Sequence, residues 1–456
     1  MAENKKFYFS CDKCGEKIDS FHSWFKAGQL CPSCKSDEVY VVYKNGLKGL
    51  DKVLEEKGTG TSSLWRYFDY LPVLEKENIV SLSEGDVTIH RWKYLENFAK
   101  DSKNLNIKVY AHRQDRNYAT ATFKDLAGSV VSSVLKENNI NRYVVASTGN
   151  IGVAFSRYLH EAGIHLHAFI PNNSPKAQEA EIACFGQQVF RVNGDYGKAK
   201  EMAAAFAKKF NILLTGTSLD PMRIEAKKTM AYEWLRNLPE YPTVYMQALS
   251  GGTGPLGVSK AVRELKDGGY INQGPRLILV QSDKCPPMAD AWDRAKENGF
   301  PDGFENSFDV VNDPETEIPT LATGNPKAYP VIARKVRESN GEIIRFCEGL
   351  TSEIAIVAAD EAGARIGPAA SITVGGFFRA VMSNHIKDGD VVVINIGEGI
   401  RRSPQFLETF IQDPVPVNSV EECKIYDDEA YRKSTWKRLM DALELGDCGS
   451  NQRPKQ

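Results

Sequence analysis

The chain has 456 residues, of which 42% are hydrophobic and 25% are charged, which is ordinary for a soluble globular protein of two or three domains. A net charge of −2 argues against a general nucleic-acid binder, which normally carries a basic excess. No apolar run reaches about 18 residues, and no apolar segment follows the charged N-terminus, so we expect neither a membrane span nor a secretory signal. We therefore expect a cytoplasmic protein.

Two CxxC pairs lie near the N-terminus with sixteen residues between them, Cys11 with Cys14 and Cys31 with Cys34. Each pair can bring two thiolates to one ion, and two pairs complete the tetrahedron that zinc prefers. Residues 1–43 are therefore interpreted as a zinc ribbon with a structural zinc. The alternatives are four unliganded thiols and a ribbon that grips nucleic acid, and the aromatic flanks argue against the second of these.

From about residue 107 onward, short apolar runs alternate with helical patterns. The predicted strands include 143–146, 166–170, 189–192, 244–248, 276–280 and 391–395. This alternation indicates a parallel sheet wrapped by helices, which places ligand sites at the carboxyl ends of the strands. Residues 413–456 are charged, with a helical pattern at 429–445, and are interpreted as an accessory C-terminal tail.

Two segments of this region contain residues suited to catalysis or ligand binding. Lys124 follows a run of small polar residues and precedes a helical pattern at 126–136, but alone it is one lysine among many. The loop Ser147-Thr148-Gly149-Asn150 lies between a predicted strand and a predicted helix. Such a loop offers unpaired N–H groups to an anion, although a helix capped by Ser147 or Thr148 explains it equally well.

A third segment is the loop Ser250-Gly251-Gly252-Thr253-Gly254, which also lies between a predicted strand and a predicted helix. Closely spaced glycines let the backbone curl around a phosphate, where N–H groups and the helix dipole face the anion. A dinucleotide site would explain a lone glycine loop equally well. That fingerprint belongs at the first strand of its domain, so the order lysine, asparagine loop, glycine loop favours a different cofactor.

This order resembles that of the fold-type II pyridoxal-phosphate (PLP) enzymes, and further segments resemble the threonine synthase family. Those segments are 64–67, 83–85, 218–225, 324–326 and 366–371. The resemblance spans about residues 60–402. It implies an α/β fold in which residues 44–412 form a catalytic region of two subdomains, each a parallel sheet wrapped by helices, behind the zinc ribbon.

By this resemblance, Lys124 carries PLP as a Schiff base and acts as the general base, and Asn150 contacts the phenolate oxygen of the cofactor. The residues that would hold its phosphate are Ser250, Gly251, Gly252, Thr253 and Gly254. Arg223 is the first choice for binding the substrate phosphate, with Ser147 and Thr148 near the substrate carboxylate or phosphate. Ile396 stands where the family has the threonine that faces the pyridine nitrogen, so the resemblance supplies no partner for that atom.

Two departures bear on the reaction. Leu126 stands where the family has an arginine, and residues 247–254 resemble the related cysteate synthases. We therefore predict a PLP-dependent transferase or lyase that converts O-phospho-L-serine and sulfite to L-cysteate and phosphate. Arg113 and Arg116 are candidates for further cations that bind sulfite, and an interpretation as solvated loop arginines explains them at least as well.

The alternatives are a threonine synthase, which converts O-phosphohomoserine and water to threonine and phosphate, and a non-catalytic PLP-bound regulatory protein. The expected partners are small molecules and, as in relatives, a second copy of the chain in a homodimer. Neither nucleic acid nor a membrane is expected as a partner.

Overall fold

A computed structural model describes residues 6–56, 63–147, 149–172, 174–216, 219–312, 314–410, 416–423 and 428–445. The strands in these residues are β1 (Phe7–Cys11), β2 (Lys17–Ile18), β3 (Val39–Tyr43), β4 (Ile89–Arg91), β5 (Lys108–His112), β6 (Arg142–Ala146), β7 (His165–Pro171), β8 (Gln188–Val192), β9 (Leu213–Leu214), β10 (Val244–Ala248), β11 (Arg276–Ser282), β12 (Glu342–Phe346) and β13 (Val391–Asn395).

The α-helices are α1 (Phe21–Lys26), α2 (Leu50–Glu55), α3 (Lys93–Lys103), α4 (Lys124–Glu137), α5 (Asn150–Glu161), α6 (Lys176–Cys184), α7 (Tyr196–Phe210), α8 (Pro221–Asn237), α9 (Thr253–Asp267), α10 (Pro287–Glu297), α11 (Tyr329–Glu338), α12 (Thr351–Ala362), α13 (Pro368–Met382), α14 (Pro404–Glu408) and α15 (Asp428–Leu445). Short 3-10 helices lie at Leu64–Tyr70, Lys76–Asn78, Gln114–Arg116, Phe304–Asn306, Pro319–Leu321, Glu348–Leu350, Ile400–Arg402 and Val420–Glu422.

The N-terminal unit is an antiparallel sheet of order β2-β1-β3. β1 and β3 pair over their whole lengths, from Phe7 opposite Tyr43 to Cys11 opposite Val39. The stacked rings of Phe9 and Trp24, whose centroids are 5.7 Å apart, fill the small core. Strands β1 and β3 therefore border the segment that carries the two CxxC pairs.

Two larger sheets follow. The four-stranded sheet has the order β8-β7-β6-β9 and is parallel throughout. The six-stranded sheet has the order β12-β11-β10-β13-β5-β4, and β4 alone in it runs antiparallel. All five residues of β13 are buried, as expected for a parallel strand covered on both faces. The predicted α/β class with parallel sheets and helices is confirmed, whereas the domain boundaries remain predictions.

The carboxyl ends of the parallel strands place the three predicted segments. β6 leads into the asparagine loop, β10 into the glycine loop, and β5 into the segment that ends at Lys124. This segment lies beside the turn after β13, because the Phe123 N–H donates to the Gly397 carbonyl at 3.1 Å and the Gly399 N–H donates to the Ala121 carbonyl at 3.1 Å. Helix α4 begins at Lys124 itself, two residues before the predicted start.

Part of the predicted tail packs on the larger sheet's helices. Helix α15 lies against α12, the side chain of Leu439 is fully buried, and the ring of Trp436 lies 6.2 Å from that of Phe378. Among the described residues, we find no helix with the length and apolar character needed to span a membrane.

Candidate active site

A cavity of about 650 Å³ is lined by residues that follow strands of both parallel sheets. Those of the predicted site residues that line it are Lys124, Asn150, Arg223, Ser250, Gly251, Gly252, Thr253 and Gly254. These positions are spread over about 130 residues of sequence. The fold brings them together because the loops after parallel strands meet at one edge of a sheet.

Lys124 occupies the first position of α4, and its backbone N–H donates to the Thr122 hydroxyl at 2.9 Å. Burial, and after it the Arg223 guanidinium, lowers the pKa of Lys124 to about 8, while Glu398 opposes the shift. Among the described residues, Lys124 has no carboxylate within 4.0 Å. An amine with this pKa is partly neutral near physiological pH, which a nucleophile or a general base requires.

The buried carboxylate of Asp125 stabilises the turn that precedes Lys124. The Asp125 carboxylate accepts from the Thr120 N–H at 2.9 Å and from the Thr120 hydroxyl. Burial is the main cause that raises the pKa of Asp125 to about 7. Ala121 within this turn has a φ of 55°, a conformation that few non-glycine residues adopt.

The glycine loop presents an uncapped helix end to the cavity. Gly252 precedes α9 with a φ of 82°, and no side chain caps the helix, so the first N–H groups of α9 and its dipole are available to an anion. At Gly254 a Cβ would lie 2.2 Å from Oε1 of Gln247, so any larger residue would displace the Gln247 side chain. The loop therefore has the geometry of a phosphate cradle.

Asn150 begins α5 and is held from two sides. Its Nδ2 donates to Oε2 of Glu398 at 2.6 Å, and its Oδ1 accepts from Nε of Arg402 at 3.4 Å. Arg402 is in turn paired with Glu181 at 2.7 Å. These contacts orient the amide nitrogen of Asn150 towards the interior of the site.

Ser147 is fully buried and does not line the cavity. Its hydroxyl donates to the Gly149 carbonyl at 3.0 Å and accepts from the Gly149 N–H at 3.1 Å and the Gly152 N–H at 3.0 Å. This arrangement matches the helix-cap alternative rather than a substrate contact. Thr148 lies outside the described residues.

Arg223 lies on the first turn of α8 and lines the cavity. Its Nη1 donates to the Gly216 carbonyl at 3.3 Å. The neighbouring Asp220 caps the helix, accepting from the N–H groups of Met222 at 2.9 Å and of Arg223 at 3.3 Å. Arg223 is thus a cation on the cavity wall, while the carboxylate beside it is engaged in capping.

The expectation that Arg113 and Arg116 supply cations to this site is wrong for the described conformation. Neither lines the cavity. Arg113 forms a buried bidentate pair with Asp115, with distances of 2.8 and 2.7 Å. Both arginines follow β5, on the loop that precedes Lys124, but the chain has turned away from the cavity at that point.

Glu398 was not identified from the sequence. It lines the cavity, is 3% exposed, and accepts from the Ala369 N–H at 3.0 Å as well as from Asn150. Burial is the main cause that raises its pKa. Thr122 and Glu398 form an isolated antiparallel bridge, so this carboxyl stands next to the lysine segment. The one sequence signal was its position, two residues after Ile396.

The four ribbon cysteines come together as predicted. Their Sγ atoms all lie within 4.8 Å of one another, with Cys11 to Cys34 and Cys14 to Cys31 both at 3.5 Å. Four sulfurs at zinc–sulfur bond lengths are about 3.8 Å apart in a tetrahedron. The donor set therefore fits one zinc ion with no position left for a substrate.

The sequence and the fold were compared with known proteins. The family model "Pyridoxal-phosphate dependent enzyme" matches residues 81–397. A threonine synthase from Methanocaldococcus jannaschii is 26% identical over 401 residues, which are 86% of this chain and 92% of that protein. A cysteate synthase from Methanococcoides burtonii is 27% identical over 417 residues, 89% of this chain and 92% of that protein.

Among solved structures, the diaminopropionate ammonia lyase of Escherichia coli superimposes with a TM-score of 0.58 at 14% identity, over 78% of this chain and 94% of that one. This likeness concerns the fold alone. Together with the family match, it confirms the expected fold-type II architecture of the catalytic region.

Proposed function

Because the chain belongs to the pyridoxal-phosphate dependent enzyme family, whose model matches residues 81–397, we propose that it converts O-phospho-L-serine and sulfite to L-cysteate and phosphate. It is a PLP-dependent enzyme of the threonine synthase type. The observation that carries the proposal is that a buried lysine amine, an uncapped helix end and an arginine line one cavity. The similarity to a cysteate synthase, together with Leu126, favours sulfite as the nucleophile.

The residues present fit the cofactor. Lys124 would hold its aldehyde carbon through the side-chain amine, the N–H groups from Ser250 to Gly254 would hold its phosphate, and Asn150 would donate to its phenolate oxygen. When bound, the cofactor supplies an electron sink for the electron pair left at Cα of the substrate. Thr373 and Asn395 both line the cavity and are the polar candidates to face the pyridine nitrogen in place of the missing threonine.

The chain's own groups then have distinct tasks. The Lys124 amine removes the proton from Cα of the substrate, for which its pKa of about 8 is well matched. Arg223, on the cavity wall, neutralises the departing phosphate, because a guanidinium pairs well with phosphate oxygens. Glu398, whose pKa is raised chiefly by burial, keeps the Asn150 amide oriented.

The test is a matrix of substrates with purified, PLP-loaded protein. O-phosphoserine and O-phosphohomoserine are each offered with water, sulfite and sulfide, and phosphate release and the amino-acid products are measured. We expect cysteate only from O-phosphoserine with sulfite. The proposal fails if no cysteate forms at any concentration of the two substrates.

Threonine synthase is the second candidate, because the Methanocaldococcus jannaschii relative of that name covers the chain nearly as well as the cysteate synthase does. Release of phosphate from O-phosphohomoserine, with threonine as product, would establish it in place of the first. A protein whose PLP absorbance responds to none of these amino acids would instead be the non-catalytic regulatory alternative.

We also propose that Cys11, Cys14, Cys31 and Cys34 hold one structural zinc ion, since their geometry suits no open coordination position. Metal analysis should find one zinc per chain in the purified protein, and none after Cys11 and Cys31 are both replaced by serine. The exposed Cys184 provides the control substitution. We propose further that the chain forms a homodimer. We also propose that its domains are residues 1–43, 44–412 and 413–456.

A further inference from the structure

Two lysines that the sequence did not single out line the cavity from different parts of the fold. Lys200 lies on α7, which packs on the four-stranded sheet, and Lys327 lies on the loop before α11, which packs on the six-stranded sheet. Both side chains keep access to solvent, so they stand at the mouth of the cavity rather than at its floor.

No salt bridge to either of these two ammonium groups is found within the described part of the chain. Among the described residues, neither has a carboxylate within 4.0 Å. Burial lowers the pKa of Lys200, and the second cause is the positive charge of Lys327, which Asp195 offsets only in part. The Lys200 Nζ also lies 4.1 Å from the centroid of the Tyr196 ring, which holds it in place.

The acidic residues nearby do not supply the missing charge. Glu201 lines the same cavity but pairs with Lys198 at 3.1 Å. Asp195 caps α7 by accepting from the Lys198 N–H at 2.8 Å. Asp37 of the ribbon also lines the cavity, but its carboxylate lies more than 4.0 Å from the amines of Lys200 and Lys327. Two like charges that face each other across a cavity repel, and an anion between them turns this repulsion into two attractive contacts.

We propose that Lys200 and Lys327 form a second anion site, which binds a small doubly charged oxyanion and draws the two sides of the cavity together around it. The identity of the anion rests on the proposed function: it is the incoming sulfite or the phosphate that leaves. As dianions, both present three unprotonated oxygens and two negative charges, so the site recognises chemistry that the two share. It takes the place that sequence analysis assigned to Arg113 and Arg116.

The first experiment measures anion binding without turnover. Inorganic phosphate and sulfate are titrated calorimetrically into the PLP-loaded protein and into the Lys200→Gln, Lys327→Gln and Lys327→Glu variants. At this second site each neutral variant should bind about tenfold or more weakly, because a charge-assisted contact is lost, and Lys327→Glu should lose the site, leaving only anion binding at Arg223. Lys198→Gln, on the same helix but paired with Glu201, is the matched control and should bind like the unaltered protein.

The inference is overturned if the two neutral variants bind within about twofold of the unaltered protein, or if the unaltered protein binds neither anion. Retention of the PLP absorbance and of the melting temperature shows that a variant has folded. Lys327→Glu tests the requirement for positive charge, because a carboxylate at this position should pair with Lys200 and occupy the site permanently.

A second experiment identifies the anion and separates this inference from the proposed function. A higher KM for sulfite alone in Lys200→Gln and Lys327→Gln assigns the site to the nucleophile, and a higher KM for O-phosphoserine alone assigns it to the leaving phosphate. If anion binding depends on the lysines but no phosphorylated amino acid is turned over, the site stands and the proposed function fails. If cysteate forms with unchanged KM values and unchanged anion binding, the function stands and the site fails.

Discussion

Helix α8 borders two groups of buried lysines that differ in their carboxylate partners. On one side, Lys228 of α8 and Lys260 of α9 share the carboxylates of Glu225 and Glu264, with Lys228 at 2.5 Å from the first and 3.0 Å from the second. Tyr43 of the ribbon donates to Glu225 at 2.8 Å. We call Lys228, Lys260, Glu225 and Glu264 the ion network. It contains two positive and two negative side chains, all of them buried or nearly so.

On the other side of α8, Lys124 and Lys227 lie near the ring of Phe123, with their Nζ atoms 4.3 and 3.8 Å from its centroid. We call Lys124 and Lys227 the lysine pair. Lys227 is 1% exposed and donates to the Phe123 carbonyl. Among the described residues, neither amine has a carboxylate within 4.0 Å.

The two groups show what decides whether a buried lysine keeps its proton. Burial alone lowers the pKa of Lys260, but Glu225 and Glu264 outweigh it and raise the value. In the lysine pair the nearest carboxylates, Glu398 and Asp125, offset burial only in part. The pKa of Lys124 falls to about 8, and that of Lys227 falls well below its usual value, with Lys124 as the second cause after burial. The partners, rather than burial, separate a structural lysine from a reactive one.

The largest expected effect comes from removing the reactive amine. Lys124→Met should lower turnover by about 10²- to 10⁴-fold through the loss of the general base alone. Borohydride reduction followed by peptide mapping should find PLP attached to residue 124 in the unaltered protein and to no residue of the variant. Lys136→Met, at the far end of the same helix and exposed, is the control. PLP attached elsewhere in the unaltered protein contradicts the assignment.

A lysine-to-methionine substitution in the ion network should lower stability rather than turnover. Lys228→Met leaves Glu225 and Glu264 with one cation and should reduce the free energy of unfolding by about 3–5 kcal/mol, the typical result of breaking a buried ion pair. Lys124→Met in the cofactor-free protein should cost no more than about 0.5 kcal/mol, since no ion pair is broken. Urea unfolding measures both, and equal losses would refute the distinction between the two groups.

A third prediction concerns pH. Because the Lys124 pKa lies near 8 and the proposed nucleophile is its neutral amine, the rate at which cofactor-free protein takes up PLP covalently should fall about tenfold for each pH unit below 8. Glu398 raises this pKa, so Glu398→Gln should shift the profile to lower pH. Glu201→Gln, in the same cavity, is the control. Stopped-flow absorbance follows the reaction, and a flat profile between pH 6 and 8 would contradict the prediction.

The smallest effect tests the link between the ribbon and the ion network. Tyr43→Phe removes the donor to Glu225 and should lower the free energy of unfolding by about 1 kcal/mol, with kcat unchanged. Tyr8→Phe, on the neighbouring strand of the same sheet, is the control. A change in kcat as large as that in stability would show that the ion network also serves the active site.

Much of the fold was predictable because the information is local. Strands β10 and β13 have the predicted bounds, since their mostly apolar sequences are typical of buried parallel strands. The start of α4 was misplaced because the helix is capped not by a side chain at its end but by the turn that Asp125 holds. No residue pattern within that segment indicates where the helix begins.

The site was only partly predictable. Lys124, Asn150 and the glycine loop carry loop signatures of their own, and they meet in one cavity. Glu398 carries no such signature, because its contact with Asn150 joins residues 248 positions apart. Arg113 failed as a prediction for the corresponding reason: its proximity to Lys124 in sequence said nothing of its pairing with Asp115.

The sequence by itself determined the alternation of strands and helices, the two CxxC pairs and the order of lysine, asparagine and glycine segments, because periodicity and spacing are properties of short stretches. Only the tertiary structure decided which lysines meet carboxylates. Lys227 and Lys228 are neighbours in sequence, yet successive helical residues point about 100° apart, so one reaches Phe123 and the other two carboxylates. The pKa of a buried amine depends on which charges distant segments bring to it.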